Sequence, residues 1–147
     1  MSEAEDSSTG SSVGPFLGAL TIIVAVVIAI WLFNVFSHDE LTDDQQIARA
    51  VSAQNAALQQ QNYAEFLVYT CSREWGEEAE ILAQQRDSVA ERGERIVERV
   101  AGVSVAGDRA TAEVTYYFDN DADTKETVEL ELVRQEGVWK VCSTGPR

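Results

Sequence analysis

The pattern of hydrophobic and polar positions changes twice along the chain. The run from Phe16 to Phe36, FLGALTIIVAVVIAIWLFNVF, contains no charged residue. From Thr42 to about residue 92, apolar residues return every three or four positions, which is typical of helices covered on one side. From residue 96 to residue 143 they alternate every second position and β-branched residues dominate, which is typical of strands. The pattern therefore predicts an apolar segment followed by one α+β domain at 42–147.

The apolar segment at 16–36 has the length of a membrane span. At about 1.5 Å per residue it reaches about 31 Å as a helix, close to the roughly 30 Å of a bilayer's hydrocarbon core. Two other interpretations compete: a cleaved signal peptide and a buried core helix. A signal peptide has basic residues before a shorter apolar run and a small-residue cleavage site, whereas here an acidic tail precedes it and Phe33 and Phe36 stand at its exit. A core helix would carry a polar stripe, but only Thr21 interrupts the run before Asn34.

We therefore predict a retained, single-pass transmembrane helix at 16–36 that contacts the lipid bilayer. A disordered acidic tail at 1–15 precedes it, and a linker at 37–41 follows it. The orientation rule counts Lys and Arg near the ends of a span, and the first basic residue of the chain is Arg49. Because the flanking charges barely decide the direction, the orientation depends on the cysteines discussed below.

Local signals mark the ends of three helices. Thr42 followed by Gln45 forms a capping box, so a helix is expected to start there. Asn62 repeats the cap signal for a second, short helix, and a third is predicted at 77–92, with Gly93 as its stop. Ser72 or Gly76 is expected near the start of this third helix. The residues predicted to face the core are Ile47, Val51, Gln54 and Leu58, then Tyr63, Phe66, Leu67 and Tyr69, then Ile81, Leu82, Gln85 and Val89.

Turn residues divide the second half of the domain into four predicted strands of an antiparallel sheet. Gly107 and Asp108 suit a two-residue hairpin turn, and so do Glu136 and Gly137, while 120–123 reads as a longer polar turn. The strands are predicted at 96–106, 109–119, 125–134 and 138–143. The face expected to be packed under the helices consists of Ala110, Ala112, Val114, Tyr116 and Phe118 with Val128, Leu130 and Leu132.

The last strand does not fit a simple alternation. Cys142 falls on one face with Lys140 and Val138, opposite Trp139 and Val141. Either the strand contains a bulge, or Trp139 covers the far face of the sheet while Cys142 points to the helices.

The two cysteines, Cys71 and Cys142, are predicted to form a disulfide. Two buried free thiols and a metal or redox site are the alternatives. The only histidine, His38, lies far from both in the sequence, so we expect no metal site. A disulfide implies an oxidising compartment, which places the domain outside the cytoplasmic membrane and the N-terminus in the cytoplasm.

Charge and chemistry narrow the partners further. The residues after the apolar segment include 22 acidic and 11 basic ones, a formal charge of −11. Such a surface repels phosphate backbones, so we expect no nucleic acid partner. Asp119, Asp121 and Asp123 resemble the opening of a calcium loop, but position six is Thr124 and position twelve is Leu130, so the calcium-loop rule fails. We predict no catalytic constellation and no cofactor.

Several stretches together resemble a known group of proteins. They are 43–71 with its ending YAEFLVYTCSREW, the hairpin VAGVSVAGDRATAEVTYYF, and the closing EGVWKVC. These resemble membrane-anchored or lipoprotein domains of actinobacteria, many of unknown function, with a lumazine-binding-like or nuclear transport factor 2-like (cystatin-like) fold. In that fold a curved antiparallel sheet wraps around helices to form a cone. Anchored relatives include accessory proteins of mammalian-cell-entry lipid-transport systems.

The resemblance implies where a ligand would bind if there were one, namely inside the cone. Tyr63, Tyr69 and Tyr116 are the candidate cone-lining residues, with ordinary core packing as the other interpretation. Enzymes of this fold place a carboxylate or histidine in the cone. Since members include both enzymes and non-catalytic assembly domains, fold alone does not carry function across.

These observations lead to one functional prediction and two alternatives. We expect a non-enzymatic, membrane-anchored extracytoplasmic domain that acts as an interaction or accessory subunit in the cell envelope, with protein partners there. The first alternative is a binder of small hydrophobic ligands in the cone interior, and the second is an isomerase-like enzyme.

Overall fold

The computed structural model describes residues 14–36 and 41–147, and within the first range it describes the side chains of 19–32. The chain divides into two compact units, Met1–Glu40 and Leu41–Arg147. Most of the predicted tail and linker, and with them His38, lie outside the described residues. The prediction of a disordered tail and a linker is therefore untested.

The described part of the first unit is one helix, α1, which spans Gly14–Phe36 and carries no acidic residue in its first turn and no basic residue in its last. All described side chains of α1 are exposed. Among the residues the structure describes, no helix is both long and apolar enough to cross a membrane. The anchor predicted at 16–36 extends beyond the described side chains at both ends, and it stays a prediction.

The second unit begins with helices that start where the sequence signals them. The Thr42 side chain accepts from the Gln45 backbone N–H at 3.4 Å and the Gln45 side chain accepts from the Thr42 backbone N–H at 3.1 Å, so the predicted capping box is confirmed. Asn62 caps the second helix by accepting from the backbone N–H of Glu65 at 3.1 Å. The helices are α2 at Asp43–Gln59, α3 at Tyr63–Tyr69 and α4 at Glu78–Arg92, with a 3-10 helix at Ser72–Glu74 between the last two.

Helix α4 begins one residue after the predicted start, with Gly76 rather than Ser72 near its start, and ends at Arg92 as predicted. Ser72 begins the 3-10 helix instead of α4, and Glu77 precedes α4 without any side-chain cap. At the other end, Gly93 adopts φ +84°, and its N–H donates to the Val89 carbonyl at 2.9 Å. Gly93 therefore stops the helix as predicted.

The four strands form one antiparallel sheet in the order β1-β2-β3-β4. Helices followed by consecutive hairpins confirm the predicted α+β architecture. The strands are β1 at Arg95–Ala106, β2 at Arg109–Phe118, β3 at Asp121–Gln135 and β4 at Val138–Val141.

The turn between β2 and β3 is shorter than predicted. Strand β3 already begins at Asp121, so the turn consists of Asp119 and Asn120 and the prediction of a polar turn at 120–123 was wrong. Phe118 pairs with Asp121 and Tyr117 with Lys125, which leaves 122–124 as an irregularity within the strand. Strand pairing overrides the polar composition here because the backbone can form ladder bonds whatever its side chains.

Strand β1 is bent by two irregularities, one between Val97 and Arg99 and one between Ala101 and Ser104. Each irregularity places one extra residue of β1 opposite β2. As a result, three valines at intervals of three positions face the core, which a strict two-residue alternation would not allow. They are Val97, Val100 and Val103, all packed against the main core cluster.

The main core lies between α2 and the inner face of the sheet. Its buried members from the helix are Ile47, Ala50 and Val51, and those from the sheet are Ala110, Ala112, Val114, Tyr116, Leu130, Leu132, Trp139 and Val141. A second cluster of Ala57, Leu58 and Phe66 joins α2 to α3. The predicted packed faces of α2, β2 and β3 are confirmed.

Strand β4 resolves the conflict over Cys142 in a way that neither sequence alternative foresaw. Trp139 and Val141 are both buried in the main core, and no register shift interrupts the pairing of β3 with β4. The strand ends at Val141, so Cys142 lies beyond it and need not follow the alternation. Trp139 also donates its indole N–H to the Asp43 carboxylate at 3.0 Å, which ties β4 to the start of α2.

Candidate functional site

The two cysteines lie at disulfide distance, with their Cα atoms 4.9 Å apart and 71 positions between them in the sequence. The backbone brings them there: the Cys71 N–H donates to the Val141 carbonyl at 2.9 Å, and Thr70 forms a parallel bridge with Val141. The link therefore joins the end of α3 to the end of β4.

The three candidate cone-lining tyrosines do not form one group. Tyr63 packs with the second cluster, stacks on Phe66 with ring centroids 5.9 Å apart, and donates its hydroxyl to the Gly76 carbonyl. Tyr69 is half-buried against the main core, whereas Tyr116 is fully buried in it. Tyr116 is thus the one nearest to the polar interior described next.

Core side chains occupy the space between α2 and the sheet. Two larger hollows, of about 250 and 160 Å³, are lined mainly by exposed or half-buried residues, the first around Arg109 and Glu131 and the second around Arg92 and Asn120. A cavity of about 10 Å³ lies beside Arg95, and its lining also includes Leu58, Ile81, Gln84, Gln85, Thr144 and Arg147. This volume is about the size of one water-sized probe sphere. A small organic molecule could bind there only by displacing protein atoms.

Arg95, at the start of β1, is a buried cation that remains 4% exposed. Its Nε donates to Asn55 Oδ1 at 2.8 Å, while Asn55 Nδ2 donates back to the Arg95 carbonyl at 2.9 Å. Gln59 Nε2 donates to the same carbonyl at 3.2 Å. The last turns of α2 therefore hold both the backbone and the side chain of Arg95.

The other partners of Arg95 come from residues 143–147, which we call the strap. Arg95 Nη1 donates to the Thr144 carbonyl at 2.7 Å and to the Pro146 carbonyl at 2.6 Å. Gln54 Nε2 holds the base of the strap by donating to the Ser143 carbonyl at 2.7 Å. The strap has no helix or strand, and its backbone lies against the guanidinium of Arg95.

No carboxylate neutralises Arg95 within the part of the chain that the structure describes. Desolvation by burial is the main cause that lowers the pKa of Arg95, and the positive charge of Arg147 acts in the same direction. Burial likewise raises the pKa of the Tyr116 hydroxyl, an effect that Arg95 partly opposes. The guanidinium lies 5.1 Å from the centroid of the Tyr116 ring, so ring and cation attract one another.

One more arginine outside the strap contacts it: Arg92 Nη1 donates to the main-chain oxygen of Arg147 at 2.6 Å. Arg92 is also ion-paired with Glu126. Within the strap, Arg147 Nη2 donates to Thr144 Oγ1 at 2.9 Å. Three of the eleven basic residues thus lie in the strap or against it, although the chain is strongly acidic.

The sequence analysis identified Gln54 as inward-facing but overlooked Asn55 and Arg95. A signal was present for Arg95, since it stands two positions before Val97 and alternation places both on the same face of β1. Asn55 had no such signal, because it is polar and lies beside the apolar stripe of α2.

The described residues contain no group of three or more His, Cys, Asp or Glu side chains that could hold a metal ion. The buried polar side chains among them are Gln54, Asn55, Thr70, Gln85 and Arg95. Amides, a hydroxyl and a guanidinium can position a ligand by hydrogen bonds.

No protein-family model matches the chain, and no curated protein matches it at a significant level. Its structure is similar to the 2.00 Å crystal structure of a candidate NTF2-like transpeptidase from Campylobacter jejuni, with a TM-score of 0.48 and 14% sequence identity. The match covers 65% of this chain and 96% of that one. A likeness this distant carries no functional argument, and the nuclear transport factor 2-like assignment made from the sequence stays a prediction.

Proposed function

We propose that this protein is a single-pass membrane-anchored domain outside the cytoplasm, and that it acts as a non-enzymatic interaction or accessory subunit in the cell envelope. The packing between α2 and the sheet carries this proposal: core side chains occupy that space, and the cavity beside Arg95 measures about 10 Å³. A domain whose helix packs directly on its sheet offers its outer surface to partners.

Two further observations support the location. The run at 16–36 has no charged residue, and Cys71 and Cys142 lie at disulfide distance. Because disulfides persist in oxidising compartments, the pair favours a domain beyond the cytoplasmic membrane. The proposal also rests on the sequence resemblance to membrane-anchored domains of actinobacteria, which include accessory proteins of lipid-transport systems.

An isomerase-like activity is the less favoured alternative. General acid–base catalysis near neutral pH needs a group such as histidine or a carboxylate in contact with the substrate. The described buried polar groups include three amides, the hydroxyls of Thr70 and Tyr116 and one guanidinium, with neither a histidine nor a carboxylate among them. Burial raises the pKa of the Tyr116 hydroxyl, which works against its use as a base near neutral pH.

The anchor is tested by alkaline carbonate extraction of membranes from cells that make the full chain. We expect the chain to stay in the membrane pellet and a variant with Ile23→Lys and Val27→Lys to be released, since a lysine at mid-span costs about 2.5–3.5 kcal/mol. Equal release of both chains would contradict the anchor.

The orientation is tested with two single-cysteine additions in the full chain, Ser8→Cys and Ser104→Cys. An impermeant maleimide applied to intact cells is expected to label the cysteine at 104, an exposed position, and to spare the one at 8 until the membrane is opened. The reverse labelling would place the domain in the cytoplasm.

The partner role is tested by purifying the tagged full chain in mild detergent from the cells that naturally make it. We expect a partner at constant stoichiometry after two affinity steps, identified by mass spectrometry. Repeated recovery of the chain alone would contradict the interaction role.

A further inference from the structure

Arg95 is a cation that the fold buries without an opposite charge, and two of its hydrogen bonds end on the strap. Burying a charge is costly unless it is well bonded. The Thr144 and Pro146 carbonyls, at 2.7 and 2.6 Å from Nη1, present two oxygen acceptors to one edge of the guanidinium. An oxyanion offers the same acceptors together with a negative charge, which compensates the buried guanidinium as a neutral carbonyl does not.

The strap is built so that it can leave without unfolding the domain. The Cys71–Cys142 link holds the chain immediately before residue 143, so the end of β4 stays in place when the strap moves. Side-chain hydrogen bonds from Gln54, Arg92 and Arg95 hold the strap, and no strand pairing includes it. Segments with few backbone ladder bonds open at a low free-energy cost.

The surroundings of Arg95 describe the ligand. Arg147 belongs to the strap and leaves with it, so Arg95 is the positive charge that stays at the site. The cavity of about 10 Å³ becomes large enough for a ligand only when the strap gives up its place, and its remaining walls are Leu58 and Ile81 together with Gln84 and Gln85. A guanidinium with two apolar side chains close by fits a carboxylate that carries a short aliphatic chain.

We propose that residues 143–147 are a displaceable strap over an oxyanion site centred on Arg95, and that a short-chain aliphatic monocarboxylate takes the place of the strap carbonyls. The strap then acts as an internal competitor: the apparent affinity falls in proportion to the fraction of molecules in which the strap is open. This inference is independent of whether the domain also binds a protein partner.

Gly145 provides the variant that opens the strap. It has φ +74°, and a Cβ there would lie 2.8 Å from Arg95 Nη1. Gly137 is the matched control, because it has φ +78° but a Cβ there would meet nothing within 4 Å. Valine therefore strains the backbone at both positions, but only valine at 145 also clashes with Arg95.

The experiment is a calorimetric titration of the full chain in detergent micelles with sodium butyrate. We expect Gly145→Val to bind butyrate at least tenfold more tightly than the unaltered chain, and Gly137→Val to bind like the unaltered chain. Amide hydrogen exchange should show faster exchange at 143–147 in Gly145→Val alone. Adding Arg95→Gln to Gly145→Val should abolish binding.

Several results would overturn the proposal. Faster exchange of the strap without butyrate binding would show that there is no oxyanion site, and unchanged exchange in Gly145→Val would show that the strap is not displaceable. Equal binding of the neutral amide butyramide, or tighter binding of inorganic phosphate, would refute a monocarboxylate site. If Gly145→Val does not fold, the chain ending at Ser143 takes its place: it should bind butyrate at least tenfold more tightly than the unaltered chain, and failure to do so would refute the site.

Discussion

Asn55 and Arg95 bond to each other twice across 40 positions of sequence, once from the guanidinium Nε to Asn55 Oδ1 at 2.8 Å and once from Asn55 Nδ2 to the Arg95 carbonyl at 2.9 Å. The pair joins the C-terminal part of α2 to the first residue of β1. Because the same contact orients the guanidinium toward the strap, a single buried amide connects the helix, the sheet and the candidate site.

Replacing Asn55 by alanine should therefore destabilise the domain strongly. Asn55→Ala leaves Arg95 Nε buried without a partner, and we expect the free energy of unfolding to fall by about 2–3 kcal/mol. Urea unfolding of the chain 41–147 measures this. A double variant, Asn55→Leu with Arg95→Met, should recover much of the loss, because it removes the buried charge along with its partner. A loss below about 0.5 kcal/mol in the single variant would contradict the assigned role.

The link between Cys71 and Cys142 should contribute a large share of the stability. It closes a loop of 71 positions, for which the chain-entropy model gives about 4 kcal/mol. The double variant Cys71→Ser with Cys142→Ser should lose about this much in urea unfolding. Reductant should destabilise the unaltered domain and leave the double variant unchanged, and equal sensitivity of both to reductant would refute the link.

The stability of the domain should fall in alkali because of Tyr116. Burial raises the folded-state pKa of Tyr116 above the usual value of 10.0. The contribution of the neutral Tyr116 hydroxyl to the free energy of unfolding is therefore fully present below pH 10. It is lost as the pH rises toward the folded-state pKa, at up to about 1.4 kcal/mol per pH unit. Tyr116→Phe should remove this part of the slope between pH 9 and 11, measured by urea unfolding at each pH. Identical slopes for the two chains would contradict it.

The outer face of the sheet carries a pair of like charges, and replacing one of them should stabilise the domain. Glu113 and Glu129 are directly opposite each other on β2 and β3, and both are exposed. Like charges in that position repel, so Glu129→Lys should raise the free energy of unfolding by a few tenths of a kcal/mol at low salt. The gain should shrink in 1 M salt because the charges are then screened. Glu129→Gln is the matched control: it removes the repulsion without adding an attraction, so its gain and its salt dependence should both be smaller.

Local signals in the sequence were sufficient for most of the architecture. The capping box at Thr42, the stop at Gly93 and the alternating core face of β2 all rest on contacts between residues close in sequence or on simple periodicity. Such signals were weaker at the start of α4, where no side-chain cap exists, and at the turn after Phe118, where strand pairing continued through polar residues.

The sequence by itself determined the order of helices and strands, the uncharged run at 16–36 and the acidic balance of the chain, and it predicted that the two cysteines pair. Only the tertiary structure decided that α2 packs directly on the sheet, that β4 ends before Cys142, and that Arg95 lies buried beneath the strap. The physical reason is the separation in sequence of the residues that interact. Periodicity and capping depend on neighbours within a few positions. The environment of Arg95 depends on Asn55 and on residues 144–146, which lie about 40 to 50 positions away and meet it only after the sheet has closed over α2.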